Sequence, residues 1–150
     1  CRWRNLQLMT VEINIAYEGS LRCHATHAPS GGTLQTDAPL DNCGKGETFS
    51  PTDLVATALG SCMLTIMGIV AERHAIDLSE VEVRVEKHMS TDAVRRIVQL
   101  PVWITGPSCL SEKERKLLET AALSCPVHKS LGDSIDRSVS FSWSKSRKAH

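Results

Sequence analysis

The chain has 150 residues, 41% of them hydrophobic, with 17 basic and 17 acidic side chains. Length and apolar content suit one globular domain with a sizeable core. A formal charge of zero removes the electrostatic case for nucleic acid or an anionic membrane surface as a partner.

Met9 opens the first strand-like segment, so residues 1–8 read as vector-derived or upstream sequence and residues 9–143 as a single domain. Val11, Ile13, Ile15 and Tyr17 alternate with Glu12, Asn14 and Ala16, a period of two that predicts a half-buried strand. Gly19-Ser20 turns the chain into a more polar strand over 21–28, and Gly31-Gly32 turns it again into a short strand near 33–36. The expectation is a meander of three antiparallel strands. Residues 37–47, rich in Gly, Pro, Asp and Asn, read as an irregular loop that brings Glu47 near the start of the next element.

That element is the longest apolar stretch of the chain. Ser50 is placed to cap a helix whose first residue is Pro51, with Asp53 at capping-box distance and favourably placed against the helix dipole. Residues 54–71 contain no charge and no proline, and their apolar side chains fall on every face, which predicts a central buried helix. The stretch sits at the lower edge of a membrane-spanning length. Thr57, Gly60, Ser61, Thr65 and Gly68 within it, and the strand-like sequence after it, favour a core helix and no membrane association.

Val81, Val83 and Val85 alternate with Glu82, Arg84 and Glu86, and Ile97, Leu100, Val102 and Ile104 supply a partner across a turn at 90–92, predicting a long hairpin. Ser111 with Glu114 forms a capping box before the stripe Leu117, Leu118, Ala121 and Ala122, an amphipathic helix ending near Ser124. Cys125-Pro126-Val127-His128 restarts a short helix with proline at its first position. Residues 134–143 close the domain as a last strand, and 144–150 form a basic tail. Runs of strands with helices inserted give an α+β class.

The six cysteines, Cys1, Cys23, Cys43, Cys62, Cys109 and Cys125, occur without a recognisable signal peptide. A reducing cytoplasm with mostly free thiols is therefore expected, not a secreted disulfide framework. Cys62, mid-helix among apolar neighbours, reads in isolation as a small buried hydrophobe. Cys125 differs: at a helix N-terminus the unpaired N–H groups and the dipole favour a thiolate, predicting a thiol pKa below the ordinary value of about 8.5. Ser, Thr, Asp or Asn would cap better. No second Cys-x-x-Cys or His-x-x-x-His pair completes a zinc site around Cys125 and His128, and neither a nucleophile elbow, a cysteine-protease signature nor a phosphate-binding glycine loop is present.

Ser50-Pro51-Thr52-Asp53-Leu54 through Leu59-Gly60-Ser61-Cys62, followed about sixty residues on by Cys125-Pro126-Val127-His128-Lys129-Ser130-Leu131, resembles the OsmC/Ohr family of osmotically inducible and organic-hydroperoxide-resistance proteins. The resemblance extends over roughly residues 10–143. It implies an intertwined homodimer with antiparallel sheets wrapped around the long central helices, and a thiol peroxidase without metal or bound cofactor. By that resemblance Cys62 is the peroxidatic residue, oxidised by an organic hydroperoxide to a sulfenic acid, and Cys125 condenses with it to a disulfide that an external dithiol reduces. Family members stabilise the thiolate with an arginine from the early strands, held by a glutamate directly after the helix-opening proline. Arg22 matches the arginine, but Thr52 occupies the glutamate position. Glu47 and Asp53 are the candidate partners of Arg22, against default roles as a solvated loop carboxylate and a helix cap. The missing glutamate keeps a second reading open, a binding or redox-sensing module for a small hydrophobic ligand. A third reading is a purely structural Cys62–Cys125 disulfide.

Overall fold

The computed structural model describes residues 10–145, and the readings made on residues 1–8 and 146–150 lie outside them. The chain divides at Pro51 into two compact units. In the first, β1 (Ile13–Gly19), β2 (Arg22–His27) and β3 (Thr33–Asp37) form the expected antiparallel meander. Gly19, Ser20 and Leu21 all adopt positive φ at the first turn, with a register shift between Tyr17 and Gly19. The exposure of β1 differs from the expectation. Val11, Ile13, Ile15 and Tyr17 are 50%, 58%, 69% and 66% exposed, so the face predicted to be half-buried is open within the chain. Period-two patterning marks a face as apolar but carries no information about what covers it.

The loop from β3 to the long helix includes a 3-10 turn, Leu40–Asn42. It closes on Asp37, whose N–H donates to the Phe49 carbonyl at 3.1 Å and whose Oδ2 accepts the Glu47 N–H at 3.0 Å. Gly44 is required at the narrowest point: a Cβ there would lie 1.7 Å from the Ala38 carbonyl oxygen.

The helix α1 (Pro51–His74) leads into the second unit. Ala56, Leu59, Gly60, Met63, Met67 and Ala71 are buried, the i, i+3, i+4 spacing of one face. Thr57, Ala58, Ser61 and Thr65 are exposed, so burial on every side is met on one side within the chain. The three hydroxyls donate to carbonyls four residues earlier, which satisfies them without a partner element. By length and composition α1 could also cross a membrane.

The predicted hairpin forms, but in two pieces. β4 (Glu82–Val85) pairs with β7 (Val102–Pro107), and β5 (His88–Met89) pairs with β6 (Ile97–Gln99). The interruption falls at Leu100-Pro101, where proline has no N–H to give the ladder. The Pro101 carbonyl still accepts from the Glu86 N–H at 3.1 Å, and the Leu100 N–H turns to the Asp136 carbonyl at 2.7 Å.

Next come α2 (Glu112–Leu123), with the capping box of Ser111 and Glu114 as expected, and α3 (Pro126–Ser130). The last strand, β8 (Val139–Lys145), starts later than predicted and runs parallel to β7, so the sheet β4-β7-β8 is mixed, not purely antiparallel. The cause is topological: the two helices form a crossover that returns the chain in the direction of β7. Leu59, Met63, Met67, Leu100, Val102, Ile104, Leu118, Ala122 and Cys125 are at most 1% exposed and make the centre of this unit's core.

Candidate active site

Two pairs of candidate side chains come together, one in each unit. In the second unit, Cys62 lies at the middle of α1, partly buried against the core, and Cys125 is fully buried at the N-cap of α3. Both thiols are free. Cys62 raises the proton affinity of Cys125, so residues 63 positions apart in sequence lie close enough to interact.

Pro126 at the first position of α3 orients the turn so that the Cys125 sulfur accepts the His128 N–H at 3.5 Å. The expected depression of the Cys125 pKa is corrected. Burial pushes the thiol up, the neighbouring Cys62 pushes it further, and the N–H groups of His128 and Val127 only partly oppose this. A five-residue helix offers little dipole, and complete burial outweighs it. Cys125 is thus held as a protonated thiol next to Cys62. The His128 imidazole is pushed down, first by burial and then by the positive charges of Arg137 and Lys129.

In the first unit, Arg22 and Glu47 form an ion pair through Arg22 Nη2 and Glu47 Oε2. The default reading of Glu47 as a solvated carboxylate therefore gives way to its pairing with Arg22. Asp53, the other candidate partner, is engaged elsewhere: the Lys87 ammonium lies 2.5 Å from Asp53 Oδ1 and 3.0 Å from Thr52 Oγ1. A third acidic group escaped the sequence reading. Asp37, fully buried, places Oδ2 3.7 Å from the same Arg22 nitrogen. The composition of residues 37–47 assigns Asp37 to the loop, whereas it ends β3 directly across from Arg22 in the β2–β3 register.

A model of the OsmC-like protein family matches residues 44–140. The chain belongs to that family. Among solved structures it is similar to a Psychrobacter arcticus 273-4 protein assigned by name to osmotic stress induction and detoxification, at 44% identity. The likeness covers 89% of this chain and 96% of that one, with a TM-score of 0.81. An organic hydroperoxide resistance protein OsmC from Legionella pneumophila shares the fold at 21% identity, with 90% and 98% of the two chains covered and a TM-score of 0.69. The organic hydroperoxide resistance protein OhrB of Bacillus subtilis does so at 19% identity, with 89% and 98% covered and a TM-score of 0.65. None of the functionally curated proteins compared with the chain matches it. Membership in the OsmC-like family carries the α+β architecture of sheets and one long helix.

Proposed function

We propose that this OsmC-like protein is a cysteine-based thiol peroxidase that reduces organic hydroperoxides. The observation that carries the reading is that the fold brings free Cys62 and free Cys125 close enough for one to raise the proton affinity of the other. A pocket that only binds needs neither sulfur, whereas a peroxidase needs two within bonding reach. The Cys62 thiolate attacks the outer peroxide oxygen. The O–O bond breaks, the alkoxide takes a proton and leaves as alcohol, and Cys62 is left as a sulfenic acid. The Cys125 sulfur then attacks the Cys62 sulfur, an S–S bond forms, and the hydroxyl departs as water with the Cys125 proton. An external dithiol supplies the two electrons that restore both thiols.

The roles fit the two environments. Partly buried Cys62 can be reached, while fully buried Cys125 keeps its proton until a neighbouring sulfenic acid is there to take it. Arg22, paired with Glu47, is the cation assigned to the Cys62 thiolate through the family pattern. The working form is a cytoplasmic homodimer, whose partner chain would cover the apolar face of β1.

Thiol counting by intact mass, before and after one equivalent of cumene hydroperoxide, tests the reading. Loss of two thiols to a Cys62–Cys125 disulfide within seconds is expected, with Cys62 sulfenic acid accumulating in Cys125→Ser. Survival of both thiols for minutes in excess hydroperoxide would overturn the peroxidase and leave the binding or redox-sensing module.

A further inference from the structure

We propose that Asp37 positions Arg22, and that this buried aspartate takes the task a glutamate at position 52 would have had. The assignment rests on the peroxidase reading above. Asp37 closes β3 directly opposite Arg22 on β2, a register fixed by the strand pairing and independent of any loop. It is the one fully buried carboxylate among the described residues. Oδ2 accepts the Glu47 N–H at 3.0 Å and lies 3.7 Å from Arg22 Nη2, while Oδ1 has no hydrogen-bond partner among the described residues. Burying a carboxylate charge is costly unless a cation lies close, and the Arg22 guanidinium is a cation in reach.

The two carboxylates around Arg22 are not equivalent. Glu47 is 57% exposed, so its attraction is screened by water and salt and costs side-chain entropy to maintain. Asp37 is 0% exposed and sits on a strand. At equal separation a charge removed from water acts several-fold more strongly than one facing it. Asp37 also holds Glu47 itself, through the backbone N–H, and the loop end, through its own N–H to Phe49. One residue therefore fixes the guanidinium directly and the second carboxylate indirectly. Thr52 cannot supply this charge, and Asp53 is committed to Lys87.

The test is the pH profile of the second-order rate of Cys62 oxidation by cumene hydroperoxide, measured for the wild type, Arg22→Gln, Asp37→Asn and Asp37→Glu. Asparagine is isosteric and retains an acceptor for the Glu47 N–H, so it removes the charge and leaves the loop closure. Asp37→Asn is expected to slow the reaction about 10- to 100-fold at neutral pH, the usual scale for losing a residue that orients a reactive group. The midpoint of its rate profile should move to higher pH, as in Arg22→Gln, and Asp37→Glu should recover much of the rate. A profile for Asp37→Asn within twofold of wild type, beside a slow Arg22→Gln, overturns the assignment and leaves the peroxidase reading standing. A wild-type Arg22→Gln profile removes the arginine and Asp37 together. If Asp37→Asn does not fold, solvent exchange of the Arg22 Nη–H groups in Glu47→Gln decides: protection that persists without the Glu47 carboxylate supports the pairing with Asp37, and exchange at the rate of a free guanidinium overturns it.

Discussion

Gly60 of α1 faces Val85 of β4 with no room for a side chain between them. A Cβ on residue 60 would lie 2.9 Å from Val85 Cγ2 and 3.0 Å from Val83 Cγ1. This contact seats the helix two residues before Cys62. Gly60→Ala gains up to about 1 kcal/mol of helix propensity, but overpacking against stiff β-branched side chains costs about 1–3 kcal/mol. A net loss near 1 kcal/mol is expected from urea unfolding under reducing conditions, with slower Cys62–Cys125 disulfide formation because α1 must shift. An unchanged or raised midpoint would show that the strand yields.

Cys125 is expected to alkylate more slowly at neutral pH than exposed Cys43 and Cys109, because burial and Cys62 hold its proton. Cys62→Ala removes two of the upward pressures and leaves burial, so the midpoint of the Cys125 alkylation profile should fall without reaching that of the exposed thiols. The raised value also links to stability. The folded state binds this proton more tightly than the unfolded state, so its contribution is complete below the ordinary cysteine value of about 8.5 and is lost as pH climbs through the folded value. Chemical denaturation of the reduced protein between pH 8 and 10 should show the decline, reduced in Cys125→Ala.

His128 works in the opposite sense. Burial, Arg137 and Lys129 press its pKa down, so the folded protein resists its protonation. Stability from this residue is present above the ordinary histidine value of about 6.5 and drains away as pH falls below it. His128→Gln is expected to flatten the stability profile between pH 7 and 5. An identical slope in the variant would assign the acid sensitivity to other groups.

The apolar face of β1 has a solution consequence. Ile13, Ile15 and Tyr17 lie on one side of an edge strand and are more than half exposed. Light scattering at micromolar concentration should return twice the chain mass, and Ile13→Lys with Ile15→Lys should return the single mass. A monomeric wild type would sink the homodimer.

Much of this protein was legible in local chemistry. Proline after a serine, a charge-free run, a capping box at Ser111 and two-residue alternation located nearly every element, because those signals act over a few residues and do not depend on distant partners. The motif around Cys62 and the Cys125-Pro126 turn named the family and the two sulfurs. Three facts were decided only by the tertiary structure. The direction of β8 depends on a helical crossover, not on the alternation of Val139, Phe141 and Trp143. The proton affinity of Cys125 depends on complete burial beside Cys62, which outweighs the local cap geometry that pointed the other way. The partners of Arg22 depend on strand register and loop closure, which bring Asp37 and Glu47 to one guanidinium from positions 10 apart. Side-chain periodicity is a property of consecutive residues, whereas charge compensation and desolvation are properties of whatever the fold places alongside, and only the folded chain specifies those neighbours.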